Sequence, residues 1–305
     1  MIALIAWVPW GGMAEHRRIL LDGVATRVVR EGDELVADDG HRVPVEQAVH
    51  LPPVEPSKII AVHLNYRSRV QEFGTKLPPA PTYFQKPTTA LNSHDGSVVR
   101  PAGCRYLNYE GEIAIVIGEP CRNVSISQAE SRIAGYTIAN DFGLHDFRDT
   151  DAGSMLRVKG SDTLCPIGPG LVTDWAFRGK TITTHVNGEI RQEGSTNEME
   201  WDMGYLVADL ARTITLLPGD IILSGTPAGS RPVDPGDVVT VTVEGLGALT
   251  NTIVEGPTAI DPTFGAQPSN SEEVVSTALG GEWEHRGVRA PMGPGSAHYQ
   301  SELDA

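Results

Sequence analysis

Short apolar segments separated by glycine- and proline-rich turns recur through most of the 305-residue sequence. Typical examples are "KIIAV" at 58–62, "EIAIVIG" at 112–118 and "TITTHV" at 181–186. These segments are rich in isoleucine, valine and threonine, residues that favour strands. The 33 glycines and 22 prolines disfavour long helices and mark turns. The pattern predicts a β-rich α+β fold and argues against a helical bundle.

Charge and cysteine content exclude several classes of protein. The formal net charge of −15 argues against a nucleic-acid partner, because phosphate binding requires a basic surface. The sequence has no run of about 18 apolar residues, so we expect no membrane-spanning segment and no membrane partner. The three cysteines form no CxxC motif. This argues against a zinc site or a disulfide framework and is typical of a cytoplasmic protein.

The sequence divides into three segments by composition. Residues 1–55 are expected to form a small N-terminal β-rich domain with a proline-rich linker, and residues 56–257 the catalytic domain. Residues 258–305 are rich in glycine, proline, serine and charge, so we expect an extension that is either loose or crosses a neighbouring subunit. The apolar start, residues 1–18, lacks a basic leading region and is interrupted by Pro9, which favours a strand and turn over a signal peptide.

Two helices are predicted among the strands. The stretch "SQAE" at 127–130 matches a capping box and predicts a helix that begins at Ser127. The second helix is predicted over 203–214, where apolar residues recur at intervals of three and four.

The strongest chemical signal is a group of carboxylates at the ends of two predicted strands. Glu110 and Glu112 are two residues apart, so in a strand both side chains project from one face. Two neighbouring buried carboxylates repel each other unless a positive charge lies between them. Asp141 ends the next strand-like segment and adds a third hard oxygen ligand, which suits Mg²⁺, Mn²⁺ or Ca²⁺. The alternative for the two glutamates is a solvated strand edge.

Seven motifs occur in the order found in the fumarylacetoacetate hydrolase superfamily, and the sequence resembles this superfamily over residues 56–256. It is most similar to the branch that includes the homoprotocatechuate-pathway decarboxylase/isomerase and the acylpyruvases. The resemblance implies a rolled mixed β-sheet with few helices, a small N-terminal β domain and a homodimer. The motifs are "NYRSRVQE", "YEGEIAIVIG", "GYTIANDF", "RVKGSD", "VNGEIRQ", "LLPGDIILSGTPAG" and "PGDVVTVTVEGLGALTN".

The resemblance also implies roles for individual residues. Glu110, Glu112 and Asp141 match the metal-ligand positions of the family. Lys159 matches the lysine that faces the substrate, where its charge would stabilise a developing oxyanion. Thr226 matches the loop that binds the substrate carboxylate.

One motif departs from the family pattern. Many relatives carry a histidine in "NYxxHxxE" that activates water, and this chain has Arg69 there. Arginine cannot act as a general base, because its pKa is above about 12, but it can bind a carboxylate through two hydrogen bonds. We therefore expect Arg69 to clamp the substrate beside Glu72, a further catalytic candidate. His145, four residues after Asp141, is a rival base, and His63 is an alternative for which a structural role is favoured.

The predicted function is metal-dependent conversion of a small 2-oxo- or 2-hydroxy-enoic (di)carboxylic acid through a metal-stabilised enolate. Isomerisation, tautomerisation or decarboxylation in aromatic-compound catabolism is favoured over hydrolysis. Tyr66, Gly225 and Arg148 are expected to contact the substrate, Arg148 through a distal carboxylate. Two alternatives stay open: a C–C hydrolase of an acylpyruvate that uses His145 or His63, and a specialised non-hydrolytic relative that binds a small acid.

Overall fold

The computed structural model describes residues 13–151 and 153–280. The expectation of a strand and turn at the N-terminus therefore falls mostly outside the described residues. The described chain is rich in short strands, as predicted. In chain order they are β1 (Glu15–Leu21), β2 (Val24–Glu31), β3 (Glu34–Ala37), β4 (Arg42–Pro44), β5 (Val49–Leu51), β6 (Ile59–Val62), β7 (Tyr83–Lys86), β8 (Leu91–Ser93), β9 (Ser97–Ala102), β10 (Leu107–Asn108), β11 (Gly111–Ile117), β12 (Ile133–Asn140), β13 (Gly143–Leu144), β14 (Cys165–Val172), β15 (Thr181–Val186), β16 (Glu189–Ser195), β17 (Ile221–Leu223), β18 (Val238–Val243) and β19 (Gly247–Ala259).

The helices of the described residues are short and connect or flank these strands. They are α1 (Arg67–Glu72), α2 (Ile126–Glu130), α3 (Arg148–Asp151), α4 (Leu156–Lys159), α5 (Met203–Ala211) and α6 (Glu272–Leu279). None of them is both long and apolar enough to cross a membrane.

Two sheets and one small ladder contain all of these strands. The larger sheet follows the order β4-β3-β2-β1-β14-β12-β11-β17-β6-β7, with β5 paired to β1 and β8 paired to β14. The second sheet has the order β16-β15-β18-β19-β9, and β10 pairs with β13. Most pairs are antiparallel, but β6 with β17, β8 with β14 and β9 with β19 are parallel. The predicted β-rich fold with a mixed sheet and few helices is confirmed.

Strand β11 lies in the centre of the core, and both of its faces are buried. Ile113 and Ile115 belong to one apolar cluster, whereas Ala114 between them belongs to another. Burial on both faces explains why "IAIVI" is continuously apolar instead of alternating with polar residues. The N-terminal strands have a small core of their own that includes Ile19 and Leu35. Their sheet is nevertheless continuous with the larger one through the β1–β14 pairing.

The helix predictions need two corrections at their ends. The capping box is formed by Ser125 and Gln128, because each side chain accepts a hydrogen bond from the other residue's amide. Ser127, the predicted start, therefore lies inside α2. Helix α5 begins after Asp202, whose side chain caps it, and ends at Ala211, three residues before the predicted end. After Ala211 the chain forms a turn, and Leu216 then makes an antiparallel bridge with Cys121. A residue inside a helix could not pair in this way.

The C-terminal segment packs on the same subunit as far as it is described. Ser269 donates its amide to the carbonyl of Asp146, and Asn108 donates its side-chain amide to the carbonyl of Ala278. Val274 of α6 is fully buried. For residues 258–280 this arrangement differs from the loose or subunit-crossing extension expected from composition, because buried apolar positions of α6 give the segment a packed face. Residues 281–305 lie outside the described chain.

The topology brings several strand ends together. Strand β11 runs antiparallel to β12 and β17, and β17 runs parallel to β6. The start of β11 therefore lies at the same end of the sheet as the last residues of β6, β12 and β17. The polar residues that follow or precede these strands are thus neighbours in space although they are far apart in sequence.

Candidate active site

Three carboxylates converge at this end of the sheet. Glu110 directly precedes β11, Glu112 is the second residue of β11, and Asp141 directly follows β12. Gly111 pairs with Asn140, which fixes these positions opposite one another. The carboxylate oxygens of the three residues lie within 4.8 Å of one another. Glu112 is only 1% exposed and the side chain of Glu110 is 13% exposed, so the two glutamates do not form the solvated edge that the sequence left as an alternative.

The three carboxylates differ in their electrostatic surroundings. Burial raises the pKa of Glu112 well above its usual range, and the charges of Asp141 and Glu110 raise it further. Glu112 accepts a hydrogen bond from the Gly225 amide at 2.7 Å, and no basic side chain among the described residues forms an ion pair with it. Burial also acts to raise the pKa of Asp141, but ion pairs with two lysines outweigh burial and lower it. A bound cation would therefore supply the positive charge that favours the ionised form of Glu112.

Two buried lysines lie against the carboxylates. Lys159, at the end of α4, has its Nζ 2.6 Å from Glu110 and 3.0 Å from the carboxylate of Asp141. Burial acts to lower the pKa of Lys159, but these carboxylates outweigh it and raise the pKa, so the ammonium group is charged. Lys86 of β7 is fully buried and lies 2.5 Å from Asp141. The sequence analysis missed Lys86. Lys86 lies two residues after Phe84, so in a strand both side chains project from the same face. This spacing is the feature of the sequence that could have indicated that Lys86 is buried.

Arg69 and Glu72 of α1 form the predicted pair. Arg69 Nη1 donates to Glu72 at 2.5 Å, and Nη2 lies 3.4 Å from Glu110. Glu72 also accepts from Arg231 at 2.6 Å. Burial acts to raise the pKa of Glu72, but the two arginines outweigh it and hold the pKa below its usual range. Glu72 is thus ionised between two arginines and is a poor proton acceptor. A substrate carboxylate that binds Arg69 would compete with Glu72 and Glu110 for its guanidinium.

His145 is buried beside Lys159, and both of its ring nitrogens lack a hydrogen-bond partner among the described residues. A Cβ added to Gly143 would lie 3.3 Å from His145 Nε2 and 3.2 Å from Lys159 Nζ, so both side chains approach the same backbone atom. Burial lowers the pKa of His145 well below its usual value, and the charges of Lys159 and Arg148 lower it further. The ring is therefore neutral and lies among cations.

His63, for which a structural role was favoured, lies near the same groups. It follows β6, and its ring centroid is 4.9 Å from that of Phe84. Burial lowers the pKa of His63 to about 4, and the charges of Arg148 and Lys159 lower it further. His63 directly follows β6, which ends at the same end of the sheet where β11 begins. This position in the sequence is the feature that could have placed His63 at the site.

The loop after β17 supports the carboxylates from within the protein. The Gly225 amide donates to Glu112, and Thr226 Oγ1 donates to the carbonyl of Gly111 at 2.9 Å. The Gly225 amide and the Thr226 hydroxyl therefore already donate hydrogen bonds within the protein. The sequence instead predicted that both residues bind a substrate carboxylate. Tyr66, also expected to contact substrate, is fully buried, and its hydroxyl has no hydrogen-bond partner among the described residues.

Arg148 begins α3 and is buried on the His145 side of the site. Its Nη1 lies 2.8 Å from the sulfur of Met155, and its Nε lies 4.0 Å from a carboxylate oxygen of Glu273. Burial lowers the pKa of Arg148, although Glu273 acts in the opposite direction. Arg148 thus adds a buried guanidinium directly after the turn that carries His145.

A second group of possible metal ligands is formed by His50, His94 and Asp95. His94 Nδ1 accepts a hydrogen bond from the Thr250 amide at 3.1 Å, so the proton of a neutral His94 ring is on Nε2. That nitrogen, which lies 3.4 Å from Asp95, then has no lone pair for a metal. The three carboxylates are therefore the better candidate for a cation, and their hard oxygens suit Mg²⁺ or Mn²⁺.

Comparisons with known proteins identify the family of the chain. The family described as "Fumarylacetoacetate (FAA) hydrolase C-terminal" matches residues 58–254. Protein Rv2993c of Mycobacterium tuberculosis is 41% identical over 218 residues, which cover 70% of this chain and 82% of that protein. The 4-hydroxyphenylacetate degradation bifunctional isomerase/decarboxylase of Salmonella dublin is 35% identical over 251 residues, which cover 80% of this chain and 58% of that protein.

A solved structure resembles the chain over the same region. The crystal structure of 5-carboxymethyl-2-hydroxymuconate delta-isomerase from Mycobacterium smegmatis matches with a TM-score of 0.74 and 39% identity. The match covers 80% of this chain and 100% of the other. The sequence motifs, the mixed sheet and these relatives agree, and the chain belongs to the fumarylacetoacetate hydrolase family.

Proposed function

We propose that the protein is a metal-dependent enzyme that isomerises, tautomerises or decarboxylates a 2-oxo- or 2-hydroxy-enoic carboxylic acid in aromatic-compound catabolism. The observation that carries the proposal is the joint presence of three clustered carboxylates and a neutral His145 that has no hydrogen-bond partner among the described residues, with Arg69 at the position where many relatives have a water-activating histidine. The relatives named as isomerases and decarboxylases support the same reaction class. The proposal includes a homodimer, which light scattering would test.

Glu110, Glu112 and Asp141 are the residues that would hold a divalent cation. These three side chains fit a hard divalent cation because all of their ligand atoms are carboxylate oxygens. Glu112 is also buried without a basic partner among the described residues. When bound, Mg²⁺ or Mn²⁺ supplies Lewis-acid polarisation of the 2-oxo group and stabilises negative charge on that oxygen.

The side chains around the carboxylates would bind the substrate and move its proton. Lys159 is charged and buried, so its ammonium group stabilises negative charge that develops on a substrate oxygen. His145 is neutral because burial and two neighbouring cations lower its pKa. An anionic substrate would offset those cations and raise the pKa of His145, which lets its ring accept a proton from carbon and return it.

Hydrolysis of a C–C bond is the second candidate function. It requires a base that activates water, and Arg69 with the ionised Glu72 does not supply one. The observation that favours hydrolysis is that neither ring nitrogen of His145 has a hydrogen-bond partner within residues 13–151 and 153–280, so His145 could serve as that base instead.

The experiment compares reactions on one preparation of purified protein, with Mg²⁺ or Mn²⁺ and with a chelator. Isomerisation of 5-carboxymethyl-2-hydroxymuconate and tautomerisation of oxaloacetate are followed by ultraviolet absorbance, decarboxylation by released CO₂, and acylpyruvate hydrolysis by released pyruvate. We expect metal-dependent activity in at least one of the first three assays, loss of that activity in His145→Ala, and wild-type activity in the exposed control His41→Ala. If release of pyruvate from the acylpyruvate is the dominant metal-dependent activity, the proposal is wrong and the protein is a hydrolase.

A further inference from the structure

Helix α6 borders the candidate active site although it lies beyond residue 254, where the match to the family ends. At its C-terminal end, Asn108 of β10 donates to the carbonyl of Ala278 at 2.8 Å, and a Cβ added to Gly280 would lie 3.0 Å from a carboxylate oxygen of Glu72. Near its N-terminal end, Glu273 approaches Arg148. One helix from outside the matched region therefore runs along the site.

The start of α6 is held in place by hydrogen bonds to α3. The hydroxyls of Ser269 and Ser271 each donate to a different carboxylate oxygen of Asp149 at 2.6 Å. Ser271 also caps the helix, because its side chain accepts from the amide of Val274. These contacts keep the first turn of α6, and with it Glu273, beside the guanidinium of Arg148.

The Arg148–Glu273 pair is long and has one exposed partner. The side chain of Arg148 is 5% exposed and that of Glu273 is 53% exposed, with 4.0 Å between Nε and the carboxylate oxygen. Among the described residues, no carboxylate lies within hydrogen-bond distance of this guanidinium. A buried guanidinium that lacks a close anion is unfavourable, so Arg148 is prepared to bind one more tightly than Glu273 does.

The surroundings of Arg148 favour a substrate anion at this place. Arg148 lies close to His145 and Lys159 in the fold: it directly follows the turn His145–Phe147, and its Nη1 contacts Met155, the residue before α4, which ends at Lys159. Lys159 in turn contacts the carboxylates that would hold a cation. A 2-oxo acid held at those carboxylates with its distal carboxylate at Arg148 would bring an anion against this buried guanidinium.

We propose that Glu273 is a specificity-determining residue: it occupies the carboxylate site of Arg148 in the free protein and is displaced by the distal carboxylate of a dicarboxylic 2-oxo acid. This inference rests on the proposed function, because it requires a 2-oxo acid in the site. A direct, two-point contact of a free carboxylate with the guanidinium is stronger than the long contact with Glu273, so dicarboxylates win the exchange and monocarboxylates do not.

Calorimetric binding in the presence of Mg²⁺ tests the inference with two acids, 2-oxoadipate and 2-oxohexanoate. They have the same chain length and differ in a terminal carboxylate against a methyl group. We expect wild-type protein to prefer 2-oxoadipate. Glu273→Gln should increase that preference about two- to five-fold, the range of a weak exposed ion pair. Glu272→Gln, which removes the same charge from the same helix turn at an exposed position, should leave it unchanged.

Arg148→Met should abolish the preference, with near-ultraviolet circular dichroism as the check that this buried substitution folds. The two exposed glutamate variants carry the test independently of that check. If both acids bind equally to wild type, or if the two glutamate variants change the preference alike, the inference is wrong and the proposed function stands. If neither acid binds to any variant, the proposed function is contradicted, and the inference fails with it.

Discussion

Replacing Glu112 with glutamine tests whether the buried carboxylates are arranged for a cation at the expense of stability. The carboxylate oxygens of Glu112, Glu110 and Asp141 lie within 4.8 Å of one another. Two unit charges 4.8 Å apart repel by about 3.5 kcal/mol at an effective dielectric constant of about 20. Protonation of Glu112 and the nearby Lys159 relieve part of this cost. We therefore expect metal-free Glu112→Gln to be more stable than wild type by about 1–3 kcal/mol, although most changes at buried sites destabilise.

The pH dependence of this difference follows from the raised pKa of Glu112. Because the pKa is higher in the folded protein than in the unfolded chain, the folded state binds the proton more tightly. The contribution of Glu112 to the free energy of unfolding of metal-free wild type should therefore be greatest below the ordinary pKa of 4.5 and should be lost as the pH rises toward the folded-state pKa. Glu112→Gln lacks this decline, so its advantage over wild type should grow with pH.

Differential scanning calorimetry with and without Mg²⁺ or Mn²⁺ measures both effects. A metal at a hundred times its dissociation constant stabilises wild type by about 2.7 kcal/mol, and Glu112→Gln should lose most of this increment. The control is Glu193→Gln, an exposed glutamate of β16 outside the site. A metal-free Glu112→Gln that is less stable than wild type, or one that keeps the full metal increment while the control behaves as wild type, would refute the reasoning.

Three further predictions follow from contacts of the site. Lys86→Met leaves Asp141 without its 2.5 Å partner, so we expect the free energy of unfolding in urea to fall by about 3–5 kcal/mol. Gly225→Ala forces a side chain into a residue with φ +94° and to within 2.9 Å of Asn65, so we expect destabilisation by about 1–3 kcal/mol and weaker Mn²⁺ binding by calorimetry. Arg69→His introduces the residue of the motif "NYxxHxxE", and we expect it to increase pyruvate release from an acylpyruvate.

The positions of the strands could be predicted from sequence because each strand pattern depends on neighbouring residues. The order of the motifs along the chain indicated the family. The apolar runs of β11 and β12 located the strands, and the spacing of Glu110 and Glu112 located two of the clustered carboxylates. Exact helix ends were less accessible, because Ser125 and Ser127 both fit a capping pattern and only the folded geometry selects Ser125.

The contributions of distant segments could not be predicted in the same way. Lys86 lies 55 positions from Asp141 in the chain, and no local pattern joins them. The packing of α6 was also missed, because composition rich in glycine, proline and serine hides a short helix whose buried residues, such as Val274, number only a few. Both cases depend on tertiary contacts that single-sequence periodicity does not report.

The charge arrangement explains why Arg69 changes the chemistry without removing the site. Arg69 joins Glu72 to Glu110, so it ties the helix that would carry a water-activating base to the carboxylates that would hold a cation. Its positive charge also adds to those that keep His145 neutral. A histidine at this position would weaken both effects and would supply a base. Under the proposed function, proton transfer then depends on a buried histidine such as His145, whose basicity requires an anionic substrate to offset the neighbouring cations.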